Sequence, residues 1–319
     1  MTFLKHVEKI KLEHFPRGEI VPLSCIIHRI MSVKKAVFPV AGFGTRFLPA
    51  TKATPKEMLP IVDKPIVQYA VEEAYEAGIR EFIFITHHAK RAIEDHFAQN
   101  KELHEKLIND KKLALAKSIE KIGGAETKFT YIRQDEPKGL GHAIGCAQHI
   151  IQKEEHFAVI LADDLMMVEG INVMQQMISV NEKYNKQVIG LEKIDGEDIS
   201  KFGVVAVEKS EEKVNFLSDI VEKPSYNEAP SNLAVVGRYI FKDSIFKFID
   251  NENPGKNNEI QITDAIQKDI ENFVGYEFDG KRFDCGSKIG YLKANLEFGL
   301  KDNTLKDEFT EYLKGKKNL

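Results

Sequence analysis

Apolar residues recur along this chain with two different periods. Ala36-Val37-Phe38 is a short unbroken apolar run, and Phe82-Ile83-Phe84-Ile85 sits inside a longer one over residues 81–86. Unbroken runs of this length are expected of strands covered on both faces. Between them Val67, Ala70, Val71 and Ala74 repeat at i, i+3, i+4 and i+7, which predicts a helix opened by Lys64-Pro65 and ended by Gly78. Strand, helix and strand at this spacing indicate a βαβ unit in a largely parallel sheet. Residues 90–121 depart from the pattern: long, charged and helix-prone, with Ile93, Phe97, Leu103 and Leu107 as scattered apolar points. They read as a helical insertion between two core strands, closed by Gly123-Gly124 before a strand at 128–133.

A helix with Ile144, Ala147, Ile150 and Ile151 on one face leads to a buried strand at 156–162, which ends in Asp163-Asp164. Ile171, Met174, Met177 and Ile178 mark the next helix, where the methionines read as core filler. Strands are expected at 186–193, 203–207, 216–221 and 233–241, around the turn Glu222-Lys223-Pro224. Helices at 259–270 and 287–301 are separated by a strand at 274–278 and the stretch Arg282-Phe283-Asp284-Cys285-Gly286. Thr304 with Asp307 offers a cap for a final amphipathic helix carrying Leu305, Phe309, Tyr312 and Leu313. No internal repeat and no Pro/Gly/Ser linker interrupts the chain. The expectation is one continuous α/β body over residues 31–319, a mixed, mainly parallel sheet flanked by helices, with residues 1–30 as an extension outside it.

Composition narrows the function classes. The net charge of −4 across 319 residues argues against nucleic-acid binding by charge. Cys25, Cys146 and Cys285 are odd in number and far apart, so neither a disulfide framework nor a zinc site is supported and a reducing cytoplasm fits. No apolar run approaches the roughly 20 residues needed to span a bilayer.

The densest chemistry follows the first strand. Gly42 and Gly44 allow a sharp turn that brings backbone N–H groups close to an anion, Thr45 adds a hydroxyl donor, and Arg46 and Lys56 supply positive charge. A glycine turn with two cations a short loop apart suits a triphosphate. Asp163-Asp164 stands at the carboxyl end of a strand, where ligands of open α/β sheets bind, and a carboxylate there suits Mg²⁺ or simply caps a turn. Glu222-Lys223 couples an acceptor for sugar hydroxyls with a cation for a phosphate, and is otherwise an exposed charge pair. Asp284 is a second metal ligand or an ordinary turn residue. His142 beside a glycine loop is a substrate contact or a helix-start residue, and the remaining histidines lack ligand spacing. No GxSxG, Walker A or Cys/His zinc pattern is present, and Gly139-Leu140-Gly141 with Gly145 misses the dinucleotide spacing.

Taken in order, the run from Gly42 through Thr45-Arg46 to Pro49, then Pro55-Lys56-Glu57-Met58-Leu59-Pro60 and Lys64-Pro65, resembles the signature of sugar-1-phosphate nucleotidylyltransferases. Val221-Glu222-Lys223-Pro224, Gly139-Leu140-Gly141-His142-Ala143 and Asp284-Cys285-Gly286 agree in the same order, and the finer wording resembles the bacterial members that use UTP and glucose 1-phosphate. The resemblance covers roughly residue 31 to the C-terminus. It implies a Rossmann-like nucleotide-diphosphosugar transferase fold, UTP and glucose 1-phosphate as substrates, UDP-glucose and pyrophosphate as products, and a dimer or tetramer. It further implies that Ala41, Gly42, Gly44, Thr45, Arg46 and Lys56 hold the triphosphate. Gln134 and Gly139 would read the uracil with Glu57 near the base, and Asp163 and Asp284 would hold Mg²⁺. Asp164, Gly203 and Glu222 would bind glucose, and Lys223 its phosphate. The alternatives are a thymidylyl-transferring relative and a catalytically weak regulatory paralogue. One departure from the family is Ala162, where Pro or Gly is more frequent before the first Asp; the small residue fits the position.

Overall fold

Strand β1 (Val33–Pro39) alternates its side chains between two hydrophobic layers, with Ala36 and Phe38 in one and Val37 in the other. The structure, a computed structural model, describes residues 33–250 and 259–316, so the expected extension at 1–30 lies outside the described residues. After β1 the chain passes through a loop of single helical turns to the short hairpin β2 (Pro60–Ile61) and β3 (Lys64–Pro65). Helix α1 (Ile66–Glu76) leads to β4 (Glu81–Thr86), and helices α2 (Arg91–Phe97), α3 (Lys101–Asn109) and α4 (Leu113–Glu120) lead to β5 (Lys128–Arg133). Next come α5 (Leu140–Gly145), β6 (His156–Ile160), β7 (Asp164–Met167), α6 (Val173–Tyr184), β8 (Gln187–Lys193), β9 (Gly203–Glu211), β10 (Val214–Glu222) and β11 (Leu233–Lys242). The chain ends with α7 (Ile245–Asp250), α8 (Ile262–Lys268), β12 (Phe273–Glu277), β13 (Lys281–Asp284), α9 (Lys288–Lys301) and α10 (Lys306–Lys314).

Nine strands form one sheet in the order β5-β4-β1-β6-β11-β8-β12-β10-β9. The neighbours from β5 to β6 are parallel, as are β8 and β12, while β11 runs antiparallel between β6 and β8. Ala234 of β11 also pairs with Val204 of β9, so the far edge curls back over β11. That closure returns Gly203 and Glu222 toward the carboxyl ends of the parallel half, where ligands of such sheets bind.

Both faces are covered. Phe82 and Phe84 enter one layer with α1 and α6, and Ile83 and Ile85 enter the other with α5, α7 and α8. Met174 and Met177 are fully buried, as core filler should be. Phe84 stacks on Phe38 at 4.9 Å and touches Phe97 at 5.4 Å, which ties the insertion to the sheet.

Several local expectations differ from what forms. The insertion is three short helices, because Asn100 caps α3 through Leu103 N–H and Lys111 takes a left-handed φ of 59°. Pro65 caps α1 with an extended ψ of 143° instead of occupying its first turn. The helix expected through Ile151 stops at Gly145 and continues as turns. Thr304 and Asp307 form no capping box: Thr304 is bonded to Asp302, and α10 starts at Lys306 without a side-chain cap. The β7–β13 ribbon is absent from the sequence-based expectations, since four-residue strands leave little periodicity to detect.

Phe84→Ala would remove a fully buried ring from the junction of sheet and insertion. The expected loss is about 3–5 kcal/mol in urea unfolding, with the transition remaining cooperative.

Candidate active site

The loop after β1 is shaped by its glycines. Gly44 adopts φ 66°, and a Cβ there would fall 2.9 Å from Cβ of Lys56, so the loop lies directly on the lysine stem. Thr51 Oγ1 donates to the Gly44 carbonyl at 2.7 Å and fixes this approach. Gly42, Thr45 and Arg46 are exposed and Ala41 is buried.

Lys56 crosses to the second strand end. Its Nζ lies 2.6 Å from Asp163 Oδ2, in the turn between β6 and β7. Burial works against the ammonium, but Asp163 and Glu57 outweigh it and hold its pKa above the ordinary lysine value. Burial also opposes the Asp163 carboxylate, and Lys56 overcomes that to keep its pKa low. Asp284, at the end of β13, pairs across the ribbon with Asp164. One point beside Gly286, where a Cβ would sit, is 3.0 Å from both Asp163 Oδ2 and Asp284 Oδ1 and 3.7 Å from Arg46 Nη1. The two carboxylate oxygens are therefore no more than about 6 Å apart, with a guanidinium beside them. Among the described residues no third His, Cys, Asp or Glu completes a metal-binding group.

Asp164 turns the other way. Its Oδ1 accepts from Arg282 Nη1 at 2.7 Å and its Oδ2 from the Gly237 N–H at 2.9 Å, while Arg282 also donates to Glu192 at 2.6 Å. Burial raises the Asp164 pKa in spite of Arg282. Across the cavity, Thr263 Oγ1 donates to Glu222 Oε2 at 3.1 Å, and a Cβ on Gly203 would fall 2.9 Å from Thr263 Cγ2. Lys223 holds a left-handed φ of 47° and places Nζ 2.7 Å from Glu222 Oε1. Arg46, Asp163, Asp164, Gly203, Glu222, Lys223 and Asp284 all line one cavity of about 900 Å³.

A second group stands at the ends of β4 and β5. The Gln134 N–H donates to the Thr86 carbonyl at 2.9 Å, and its buried amide Nε2 meets His142 Nδ1 at 2.7 Å. Burial, with Lys138 nearby, lowers the His142 pKa and favours the neutral ring that accepts this bond. Gly139 takes φ 94° and lies so close to Ile260 that a Cβ would fall 2.8 Å from its carbonyl. Leu140, Glu259 and Ile262 carry this segment to the cavity wall. Glu57 is 2 % exposed under the loop, and Lys90 donates to both its oxygens at 2.7 and 2.9 Å. The tight turn at Lys56–Met58 points Lys56 toward Asp163 and its neighbour Glu57 toward Lys90. Glu57 adds to the charge that raises the Lys56 pKa.

A family model described as nucleotidyl transferase matches residues 35–299. The chain belongs to the nucleotidyl transferase family. It is 45% identical over 285 residues to a UTP–glucose-1-phosphate uridylyltransferase of Bacillus subtilis, covering 89% of this chain and 97% of that one. A crystal structure of UDP-glucose pyrophosphorylase complexed with UDP-glucose is 46% identical, covers 85% of this chain and all of that chain, and superposes with a TM-score of 0.77. A UTP-bound UGPase from Acinetobacter baumannii is 42% identical over 88% of this chain and 98% of that chain, with a TM-score of 0.82.

Within this nucleotidyl transferase the sequence had singled out both strand-end carboxylates and the three cations. Arg282, Thr263 and Lys90 went unnoticed, because each works through a residue distant in sequence. Arg282 did carry a signal: alternation places it on the same face of β13 as Asp284.

Lys90→Met leaves the Glu57 carboxylate buried without its cation, at an expected cost of about 3–5 kcal/mol near neutral pH. Burial already raises the Glu57 pKa and losing Lys90 raises it further, so the loss is fully present above the variant's own pKa and fades as pH falls and its carboxylate protonates. Urea unfolding of the variant and the parent from about pH 8 to about pH 5 should therefore show a narrowing gap.

Proposed function

We propose that this chain transfers the uridylyl group of UTP to glucose 1-phosphate, releasing pyrophosphate and forming UDP-glucose. The observation that carries the reading is the convergence of Arg46, Lys223, Asp163 and Asp284 around one cavity, with Lys56 paired to Asp163 at 2.6 Å. The backbone of Ala41, Gly42 and Gly44, with Thr45, cradles the triphosphate, while Gln134 and the Gly139 backbone read the uracil edge. Glu222, seconded by Thr263 and set close to Gly203, accepts from glucose hydroxyls; the lone pairs of Asp164 not used by Arg282 and Gly237 do the same. Lys223 meets the sugar phosphate.

The family works with a divalent metal, and we assign Mg²⁺ to Asp163 and Asp284. Two carboxylates without a third ligand among the described residues fit an ion that completes its shell with phosphate oxygens and water. Bound there, it would neutralise phosphate charge and make the α-phosphorus more electrophilic. The attacking phosphate oxygen of glucose 1-phosphate is already anionic and requires no general base. Its difficulty is approaching another polyanion. Arg46, Lys56 and Lys223 lower that repulsion, and Arg46 and Lys56 stabilise charge on the departing pyrophosphate. Holding nucleophile, α-phosphorus and leaving group in line supplies the remaining catalysis, with no covalent enzyme intermediate. We further assign the protein to the cytoplasm as a dimer or tetramer, without nucleic-acid or membrane partners. No described helix is long and apolar enough to cross a membrane.

Pyrophosphate release should be clear with UTP and glucose 1-phosphate, weaker with dTTP, absent with ATP and GTP, and abolished by a chelator. Preference for dTTP would instead assign thymidylyl transfer, and UDP-glucose binding without turnover would assign a regulator. In the same assay Lys223→Ala should lower kcat/KM for glucose 1-phosphate by about 10²–10³ with the melting temperature unchanged.

A further inference from the structure

Arg238 is the largest fully buried side chain among the described residues, at 1 % exposure, and it does not itself line the cavity. On β11 it faces Glu73 of α1: Nε donates to Oε1 at 3.0 Å and Nη2 to Oε2 at 2.7 Å. The rest of the guanidinium is spent on backbone. Nη1 donates to the carbonyls of Leu161 at 3.2 Å and Gly237 at 2.9 Å, and Nη2 donates to that of Asp164 at 2.8 Å. Leu161 and Asp164 bracket Asp163. Gly237 grips the same turn, donating its N–H to Asp164 Oδ2 and accepting from Leu161 N–H, each at 2.9 Å. A Cβ at position 237 would fall 2.6 Å from Leu161 Cβ and 2.7 Å from Asp164 Oδ2, so only glycine lets β11 come this close.

A buried ion pair is a poor stability device, because desolvation of both charges offsets their attraction and well-packed apolar residues do as well. What a planar guanidinium offers is five donors in a fixed fork, able to hold a carboxylate on one side and several carbonyls on the other. We infer that the Glu73–Arg238 pair is a positioning device for the 161–164 turn. Anchored on α1, it keeps the Asp163 carboxylate in register with Asp284 over Gly286 and with Lys56. The inference rests on the reading of Asp163 and Asp284 as the metal pair. Lysine at 238 would retain the charge on Glu73 but could not span both flanking carbonyls.

Two variants separate position from stability. Glu73→Met with Arg238→Met replaces the pair by apolar bulk, and Arg238→Lys keeps the charge pair. Thermal melting is followed alongside Mn²⁺ binding to the UTP complex, read from water proton relaxation, and steady-state kinetics. Both variants should bind Mn²⁺ about tenfold more weakly and lose about 10–100-fold in kcat, with partial recovery at high Mn²⁺. KM for glucose 1-phosphate should stay within about twofold, and the double variant should melt near the parent temperature. Parental Mn²⁺ affinity and kcat in Arg238→Lys, or in a folded double variant, would overturn the inference and leave the pair a packing feature. If the double variant fails to fold, the Arg238→Lys result decides alone. Asp163→Asn serves as the control: unchanged Mn²⁺ binding there would refute the metal assignment itself, whatever Arg238 does.

Discussion

Two adjacent carboxylates at the carboxyl end of a buried strand impose the main constraint on this structure. Asp163 and Asp164 carry like charge, and burial disfavours ionisation of both. The fold answers with a separate partner for each. Lys56, from the loop after β1, reaches Asp163, and Arg282, from the ribbon strand β13, reaches Asp164. Arg238 secures the backbone between them from β11. Three segments far apart in sequence must therefore meet at one turn, and the site exists only where they do.

The electrostatics extend beneath the glycine loop after β1. Glu57 and Lys90 form a second buried pair, and Glu57 adds to the field that keeps Lys56 protonated. Cation and anion are thus set in place by one another, with Lys56 held between Asp163 and Glu57, before any phosphate arrives. A preorganised field of this kind requires little reorientation during reaction, which is where such sites gain most of their rate.

Much of the fold was legible in the chain. Unbroken apolar runs marked β1, β4 and β6, because strands covered on both faces have no polar side to interrupt them. Helix ends were read less well: Asn100 and Lys111 divide the insertion through local capping and a left-handed residue, signals too short for a periodicity to carry. A tight turn sends the adjacent side chains of Lys56 and Glu57 in opposite directions, one to Asp163 and the other to Lys90, which their order in sequence does not show. The curl that pairs β9 with β11, and so returns Gly203 and Glu222 to the site, depends on contacts between strands thirty residues apart.

The sequence by itself determined the chemistry available: a glycine loop with Arg46 and Lys56, an aspartate pair at a strand end, and a Glu-Lys turn, in the order shared by a family. These are local facts, written in residue type and spacing. Tertiary structure alone decided which charges neutralise which, since ion pairing depends on distance through space and burial, and neither has a signature along the chain. Arg238 and Arg282 look like any other charged residue in a strand. Only the packed sheet shows that one holds the turn under Asp163 and the other holds Asp164, because a buried charge acquires its role from the partner that the fold brings to it.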